Sequence, residues 1–391
     1  MRALRFLTAG ESHGPGMAVT LDGLPAGLEV DLERVALMLR RRMGGYGRGP
    51  RMKIEADEPR VLSGIRHGRT LGSPITLIVE NRDHANWREA MSPEPVPDGV
   101  NKREVTRPRP GHADLAGALK YNTHDVRDIL ERASARETVA RTAAGALAVQ
   151  FLEKFSIWIA SHVIQVGDAG YPPDRSISFA DISGIPEDSA LRVVDHDLEE
   201  EMIRAIDEAE KARDTLGGVF EVAASGVPPG LGSHRHWDTK IDGRLAQAVM
   251  SIQAVKAVAI GVGTHAAGCR GSQVHDEILR SGRWRGFTRR TNRAGGVEGG
   301  ITNGGEVRVS GYMKPLSTLR QPLGSVDVQS KKPFAAAVER SDVTAVSAAG
   351  VVGEAMVALV LADAILEKFG GDSLAETCRN FEGFRRQVQK Y

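Results

Sequence analysis

The chain has 391 residues, 41% of them hydrophobic and 26% charged, with a formal net charge of +1. This is the composition of a soluble globular protein with a sizeable core, and its balance of charge excludes a general polyanion binder, so any positive site must be local. The only cysteines, Cys269 and Cys378, show neither metal-ligand spacing nor a disulfide framework, which suits a reducing cytoplasm.

Residues 2–9 alternate as a strand, and the apolar part of MRALRFLTAGESHG is too short for a secretory signal. Gly10-Glu11-Ser12-His13-Gly14-Pro15-Gly16 breaks the pattern before Met17 to Leu21 resumes a strand. Glycines on both sides of His13 allow a close turn that exposes the imidazole, although an ordinary hairpin loop has the same composition. Asp31 to Arg42 predicts a short helix ending in three arginines, followed by the loop Gly44-Gly45-Tyr46-Gly47-Arg48-Gly49-Pro50-Arg51. Arginine and tyrosine in such a loop can stack on RNA bases, but aromatics make up only 5% of the chain and no second stacking platform appears. A small polyanion suits the loop better, because guanidiniums grip carboxylate and phosphate with two prongs. Arg60 to Arg66 and Pro74 to Asn81 predict strands, and a polar loop then runs to about Thr106.

The stretch from Thr106 to Thr138, TRPRPGHADLAGALKYNTHDVRDILERASARET, holds Arg107, Arg109, Arg127, Arg132 and Arg136. Pro108, Pro110 and Gly111 set a stiff approach to His112, where a helix begins, and Lys120 to Asp125 reads as a break. A second, longer helix is predicted from Val126 to Leu147, stacking Arg132 and Arg136 at i,i+4. Two environments fit that pair. One is a solvated face, with Asp128 pairing Arg132 and Glu137 screening Arg136. The other is an anion site, where Ala133, Ser134 and Ala135 leave room for a ligand to approach closely.

Further on, residues 156–167 and Gly218 to Ala224 have strand character, and Leu198, Met202, Ile203, Ile206 and Ala209 mark an amphipathic helix. His234-Arg235-His236 lacks a third metal ligand in register and reads as a surface turn. Gly261-Val262-Gly263-Thr264-His265-Ala266 formally fits a dinucleotide fingerprint, but no convincing helix or ribose-binding acid follows. Arg289 to Gly305 is a second glycine-rich loop, leading into the strand Glu306 to Gly311. Lys314, Ser317 and Thr318 supply a cation and two hydroxyls suited to phosphate, and the polar segment Gln321 to Lys332 is expected to be mobile. Asp342 stands where it could cap the apolar helix from Val343 to Phe369, whose interrupting charges favour a buried helix over a membrane span. No tandem repeat or interdomain linker is evident, so residues 1–391 are expected to form a single catalytic domain. Framed histidines, scattered arginines and two glycine-rich loops point to an active site for a small, highly anionic substrate. No nucleophile elbow, metal cluster or Walker lysine is present. A lyase and a transferase acting on a phosphorylated acid remain equally open.

Five motifs carry a resemblance: Gly10-Glu11-Ser12-His13-Gly14, Gly45-Tyr46-Gly47-Arg48-Gly49, Pro110-Gly111-His112-Ala113-Asp114, Glu131-Arg132-Ala133-Ser134-Ala135-Arg136-Glu137-Thr138 and Arg340-Ser341-Asp342. In this order, and with Arg51-Met52, the sequence resembles the chorismate synthases over almost its whole length. The resemblance implies an α+β fold, a βαβ sandwich with helices packed between antiparallel sheets and long glycine- and arginine-rich active-site loops, assembled as a homotetramer. It implies loss of phosphate and a C6 hydrogen from 5-enolpyruvylshikimate 3-phosphate by anti-1,4-elimination, giving chorismate, with reduced FMN required and NADPH as a candidate reductant. By matching position, Ser12, Arg42, Arg48, Arg107 and Arg132 would serve substrate, with Arg42 and Arg48 also matching NADP positions. Ser134, Ala135, Arg136, Gln253, Ala254, Gly299, Lys314, Pro315, Leu316, Ser317, Thr318 and Arg340 would line the flavin. His112 would protonate the departing phosphate, His13 would protonate or steady the reduced flavin, and Asp342 would assist proton removal through flavin N5. A flavin oxidoreductase and an Arg/Gly-rich RNA-binding protein are the rival assignments. The former requires net substrate reduction, the latter salt-sensitive oligonucleotide binding. No metal, nucleic acid or membrane partner is expected.

Overall fold

The computed structural model describes residues 3–49, 57–172, 177–281, 286–339 and 342–391. Arg340 and Ser341, with Pro50 to Met52 of the first arginine loop, lie outside the described residues. In chain order the main elements are β1 (Arg5–Ala9), β2 (Gly16–Asp22), α1 (Leu32–Met43), β3 (Pro59–Ser63), β4 (Ile75–Glu80), α2 (Asp114–Tyr121), α3 (Arg127–Ala133) and α4 (Thr138–Glu153). They continue with β5 (Trp158–Val166), α5 (His196–Lys211), β6 (Gly218–Ser225), α6 (Ile241–Met250), β7 (Val255–Ile260), β8 (Val307–Met313), α7 (Val346–Phe369) and α8 (Leu374–Lys390).

Strands β1, β2, β4 and β3 form one sheet in that order, antiparallel throughout. The alternation of β2 puts Met17, Val19 and Leu21 on its buried face, matched by Ile75, Leu77 and Val79 of β4. The second sheet runs β7-β8-β6-β5 and ends on the short strand Ala169–Gly170, again antiparallel. Helix α4 packs on the first sheet and on α1, α7 packs on the second, and the two helices pack on each other. Both helices are apolar nearly all round, as a helix covered on every side must be. Helix α7 is long and apolar enough to cross a membrane by composition alone, but 94% of its most apolar window is buried inside the protein. It is a core helix.

The α4–α7 crossing depends on Gly145. A Cβ there would lie 2.3 Å from the Ala355 Cβ and 2.4 Å from its Cα. Gly145→Ala therefore drives the helices apart and should lower stability by at least about 1–3 kcal/mol, the usual cost of overpacking. The urea midpoint measures it; an unchanged midpoint would mean that the crossing can widen freely.

The predicted helix from Val126 to Leu147 is not continuous. It breaks at Ser134, which is extended (φ −62°, ψ 143°) and whose Oγ accepts from the Arg136 amide, and a 3-10 turn at 135–137 precedes α4. Arg132 and Arg136 consequently do not stack. Asp128 accepts from Thr123 instead of Arg132, and Glu137 is paired with Arg141. Asp342 is not a helix cap either, since α7 starts after Ala345. The glycine-rich segment before β8 has more structure than its composition suggests. Val297–Glu298 pairs with Ile301–Thr302, and Thr302 is buried, donating to the Pro228 carbonyl and accepting from the Leu231 amide. The segment expected to be mobile pairs Gly324–Val326 with Pro333–Ala335.

Candidate active site

The site begins where the break at Ser134 lets the chain turn. The 106–138 stretch, the Ser12–His13 turn, the end of α1 and the segment after β8 converge on one cavity of about 680 Å³. That size lies within the usual range for small-molecule sites, roughly 300–1,000 Å³. Arg42, Arg48, Arg103, Arg109, Arg136 and Lys314 bring cations to its wall, where Asp83, Glu339 and Asp342 are the carboxylates among the described residues.

Each histidine is held from behind by a buried carboxylate. The His13 Nδ1 lies 2.8 Å from Glu131 Oε1, and its backbone amide donates to Glu131 Oε2 at 2.8 Å. The ring stacks on Trp87 with centroids 3.8 Å apart. The His112 Nδ1 lies 2.5 Å from Asp114 Oδ1, while Arg109 grips Asp114 through its amide (3.0 Å) and its Nε (2.9 Å). Arg109 also donates to Thr318 at 3.1 Å, tying the helix approach to the segment after β8. With Nδ1 occupied on both rings, Nε2 is the nitrogen left to work with a ligand.

Burial alone would raise the Asp114 carboxyl, but hydrogen bonds and charge from His112 and Arg109 overcome it and hold the group well below the usual carboxylate range. Glu131 behaves alike, with burial opposed by His13 and Arg127, and its carboxyl is also lowered. A depressed folded value stabilises the protein above the unfolded value, about 4 for these groups, and that stability is lost as pH falls through the folded value. The urea midpoint should thus fall on acidification below about pH 4–5. It should fall less steeply in Asp114→Asn, and identical pH slopes would contradict the assignment.

Arg42 and Arg136 share Asp57, whose carboxylate is buried, at 3.2 and 2.9 Å. Arg42 also donates to Thr138 Oγ1 and the Ala135 carbonyl, so its plane is fixed. Asp342 accepts from the Gly49 amide at 2.6 Å and pairs with Arg48 at 2.9 Å, fastening the first arginine loop to the chain before α7. Gly45 makes this possible: it has φ 108°, and a Cβ there would lie 2.1 Å from Ser347 Oγ. Lys314 has its ammonium pushed down by burial and by Lys256, and an anion would relieve both.

Of the residues expected from sequence, Ser12, His13, Arg42, Arg48, His112, Ser134, Ala135, Arg136, Gln253, Ala254, Lys314, Leu316, Ser317, Thr318 and Asp342 all line this cavity. Arg107, Arg132, Gly299 and Pro315 do not. The Arg107 guanidinium covers the Phe334 ring at 3.6 Å, and Arg132 donates to the Thr8 and Gly10 carbonyls. Gly299 sits in the turn between Glu298 and Ile301, and Pro315 points only its carbonyl toward Lys314. The residues missed are Asp57, Trp87, Arg103, Asp114 and Glu131, with Arg109, which was singled out as a cation but given no place in the site. An i,i+4 spacing of Arg127 and Glu131 was the one legible sign of these buried pairs.

Fold and cavity together define an enzyme acting on a small polyanion. The family model described as chorismate synthase matches residues 4–366, and the chain belongs to the chorismate synthase family. It is 53% identical over 390 residues to the chorismate synthase of Solibacter usitatus, covering 99% of this chain and 100% of that protein. The chorismate synthase of Geobacter sulfurreducens is 54% identical over 394 residues, with 99% and 100% covered. A solved structure, described as the crystal structure of chorismate synthase, superposes with a TM-score of 0.80 at 43% identity and full coverage of both chains. The reaction is the family's: a carbon–oxygen lyase removes phosphate from 5-enolpyruvylshikimate 3-phosphate and forms chorismate, the last shared step of aromatic amino-acid biosynthesis.

Proposed function

We propose that the cavity holds 5-enolpyruvylshikimate 3-phosphate beside reduced FMN and that His112, His13 and Asp342 divide the proton work. The observation that carries this is the gathering of six cations and both histidines on one wall. A substrate with two carboxylates and a phosphate, next to a second phosphate on the flavin, needs fixed cations to offset mutual repulsion. The wall also fits a ring system. Leu130, Ala133, Ala254 and Met313 give it apolar surface, and the buried Gln253 Oε1 has no hydrogen-bond partner among the described residues, an acceptor available to a ring N–H. Ser134, Ala135, Arg136, Gln253, Ala254 and Lys314 to Thr318 would hold the flavin, with the Lys314 cation serving its phosphate.

Reduced flavin held by these residues would supply electron density for an elimination that is redox-neutral overall. The chain's own residues do the rest. Arg42 and Arg48 hold the substrate's anionic groups; Arg109 joins them. From its Nε2, His112 delivers a proton to the departing phosphate, and Asp342 accepts the proton that C6 loses. At the same time His13 presents its Nε2 to the ligands, where it would protonate or steady the reduced flavin. Arg42 and Arg48, which match NADP positions, would also suit NADPH as a candidate reductant of the flavin. The packing of the two sheets on α4 and α7 supports the reading of the fold as a βαβ sandwich. Exposed Leu7, Ile278 and Phe287 offer apolar surface for subunit contact in a cytoplasmic homotetramer.

Arg48→Lys tests the substrate assignment. An ammonium cannot reproduce a two-pronged contact, and one charge-assisted hydrogen bond is worth about 1.5–3 kcal/mol, so substrate affinity should fall roughly tenfold to a hundredfold. Calorimetric titration with the enolpyruvyl phosphate measures it. Equal affinity in both proteins would remove Arg48 from the site.

A further inference from the structure

We propose that Glu131 is a positioning residue for the reaction, holding His13 as the Nδ1–H tautomer with Nε2 turned toward the ligands; this rests on the acid–base role given to His13 above. Three features of the packing support it. Glu131 is 2% exposed, and both of its carboxylate oxygens are spent on His13: Oε1 on the ring Nδ1 at 2.8 Å, Oε2 on the backbone amide at 2.8 Å and on the ring at 3.1 Å. The Glu131 carbonyl accepts from the Ser12 amide at 2.9 Å. One residue of α3 thus fixes two consecutive amides and the ring of the Ser12–His13 turn. A carboxylate only accepts hydrogen bonds, so Nδ1 must carry a proton, and in the neutral ring Nε2 is then the acceptor.

The ring is also prevented from turning. Trp87 covers one face at 3.8 Å with a 24° tilt, and its indole N–H donates to Asp83. The guanidiniums of Arg103 and Arg127 also lie against the indole, 4.0 and 5.0 Å from the ring centroid. Arg127 closes the arrangement by donating to Glu131 Oε1 at 3.0 Å and approaching Glu339 at 3.6 Å. His84 reaches the His13 carbonyl at 3.0 Å, so the turn is pinned on that side too. A carboxylate engaged only for stability would not need to meet the ring and the ring's own amide together.

The tautomer is visible in the ¹⁵N spectrum of protein labelled at histidine, with the His13 signals assigned by their loss in His13→Gln. The expected wild-type result, in protein without substrate, is a single Nδ1–H form; an Nε2–H form would overturn the proposal whatever the enzyme's activity. In Glu131→Gln the side-chain amide can donate as well as accept, so the tautomer preference should be lost. Turnover should then fall roughly a hundredfold or more, as when a histidine's orienting carboxylate is removed. Substrate affinity should stay within a fewfold, and Glu131→Asp should recover part of the rate. A glutamine variant with a pure Nδ1–H ring and wild-type turnover would also overturn it. Should Glu131→Gln fail to fold, the wild-type spectrum decides alone. Failure of the lyase assignment would show separately, as absence of phosphate release in the wild-type enzyme.

Discussion

His112→Asn should lower turnover by roughly 10²–10⁴-fold, the usual contribution of a positioned acid or base. The structure makes this a clean substitution. An asparagine amide can still donate to Asp114 Oδ1, now 2.5 Å from the imidazole, and Arg109 continues to neutralise that carboxylate through two contacts. The buried cluster therefore survives, and what disappears is the nitrogen that faces the ligands. The urea midpoint should remain close to wild type while phosphate release slows. A turnover within a fewfold of wild type would show that the departing phosphate takes its proton elsewhere.

Asp342→Asn should cut turnover by a similar factor, roughly 10²–10⁴, but with a different signature. Asparagine is isosteric and keeps an oxygen for the Gly49 amide, now 2.6 Å away, so the arginine loop stays attached. It loses the ionic contact to Arg48 at 2.9 Å. Arg48 then has one fewer competitor for an anion, and substrate affinity should hold or rise as turnover falls. Steady-state kinetics and calorimetry together separate the outcomes. Weaker binding at unchanged turnover would leave Asp342 as a clamp for the loop and nothing more.

The strands and α1 were legible because their apolar periods are regular and their edges carry glycine, proline or a capping aspartate, and the buried α7 because it is one long apolar run broken by single charges. The break inside the 126–147 helix was not, since apolar residues continue across it. Ser134-Ala135-Arg136-Glu137 nonetheless has the S-x-x-E spacing of a helix start, and the Ser134 side chain does accept from the backbone there. The cavity's cations and histidines were visible as residue types among glycines. Their carboxylate supports were not: Glu131 stands beside Arg132 like an ordinary surface pair, Asp57 lies in the acidic run Glu55-Ala56-Asp57-Glu58, and Asp114 sits in the first turn of a helix, where acids are common. Only tertiary packing reveals that they are buried. Arg107 and Arg132 show the converse: similar side chains in the same stretch, one lying over Phe334 and the other holding the edge of β1.

The most direct measurement is anaerobic. Purified protein is given reduced FMN and 5-enolpyruvylshikimate 3-phosphate, and phosphate release and flavin oxidation are followed together. Many molecules of phosphate should appear for each enzyme active site while the flavin remains reduced. Phosphate release matched one-for-one by flavin oxidation, or none at all, would contradict a redox-neutral elimination in this cavity.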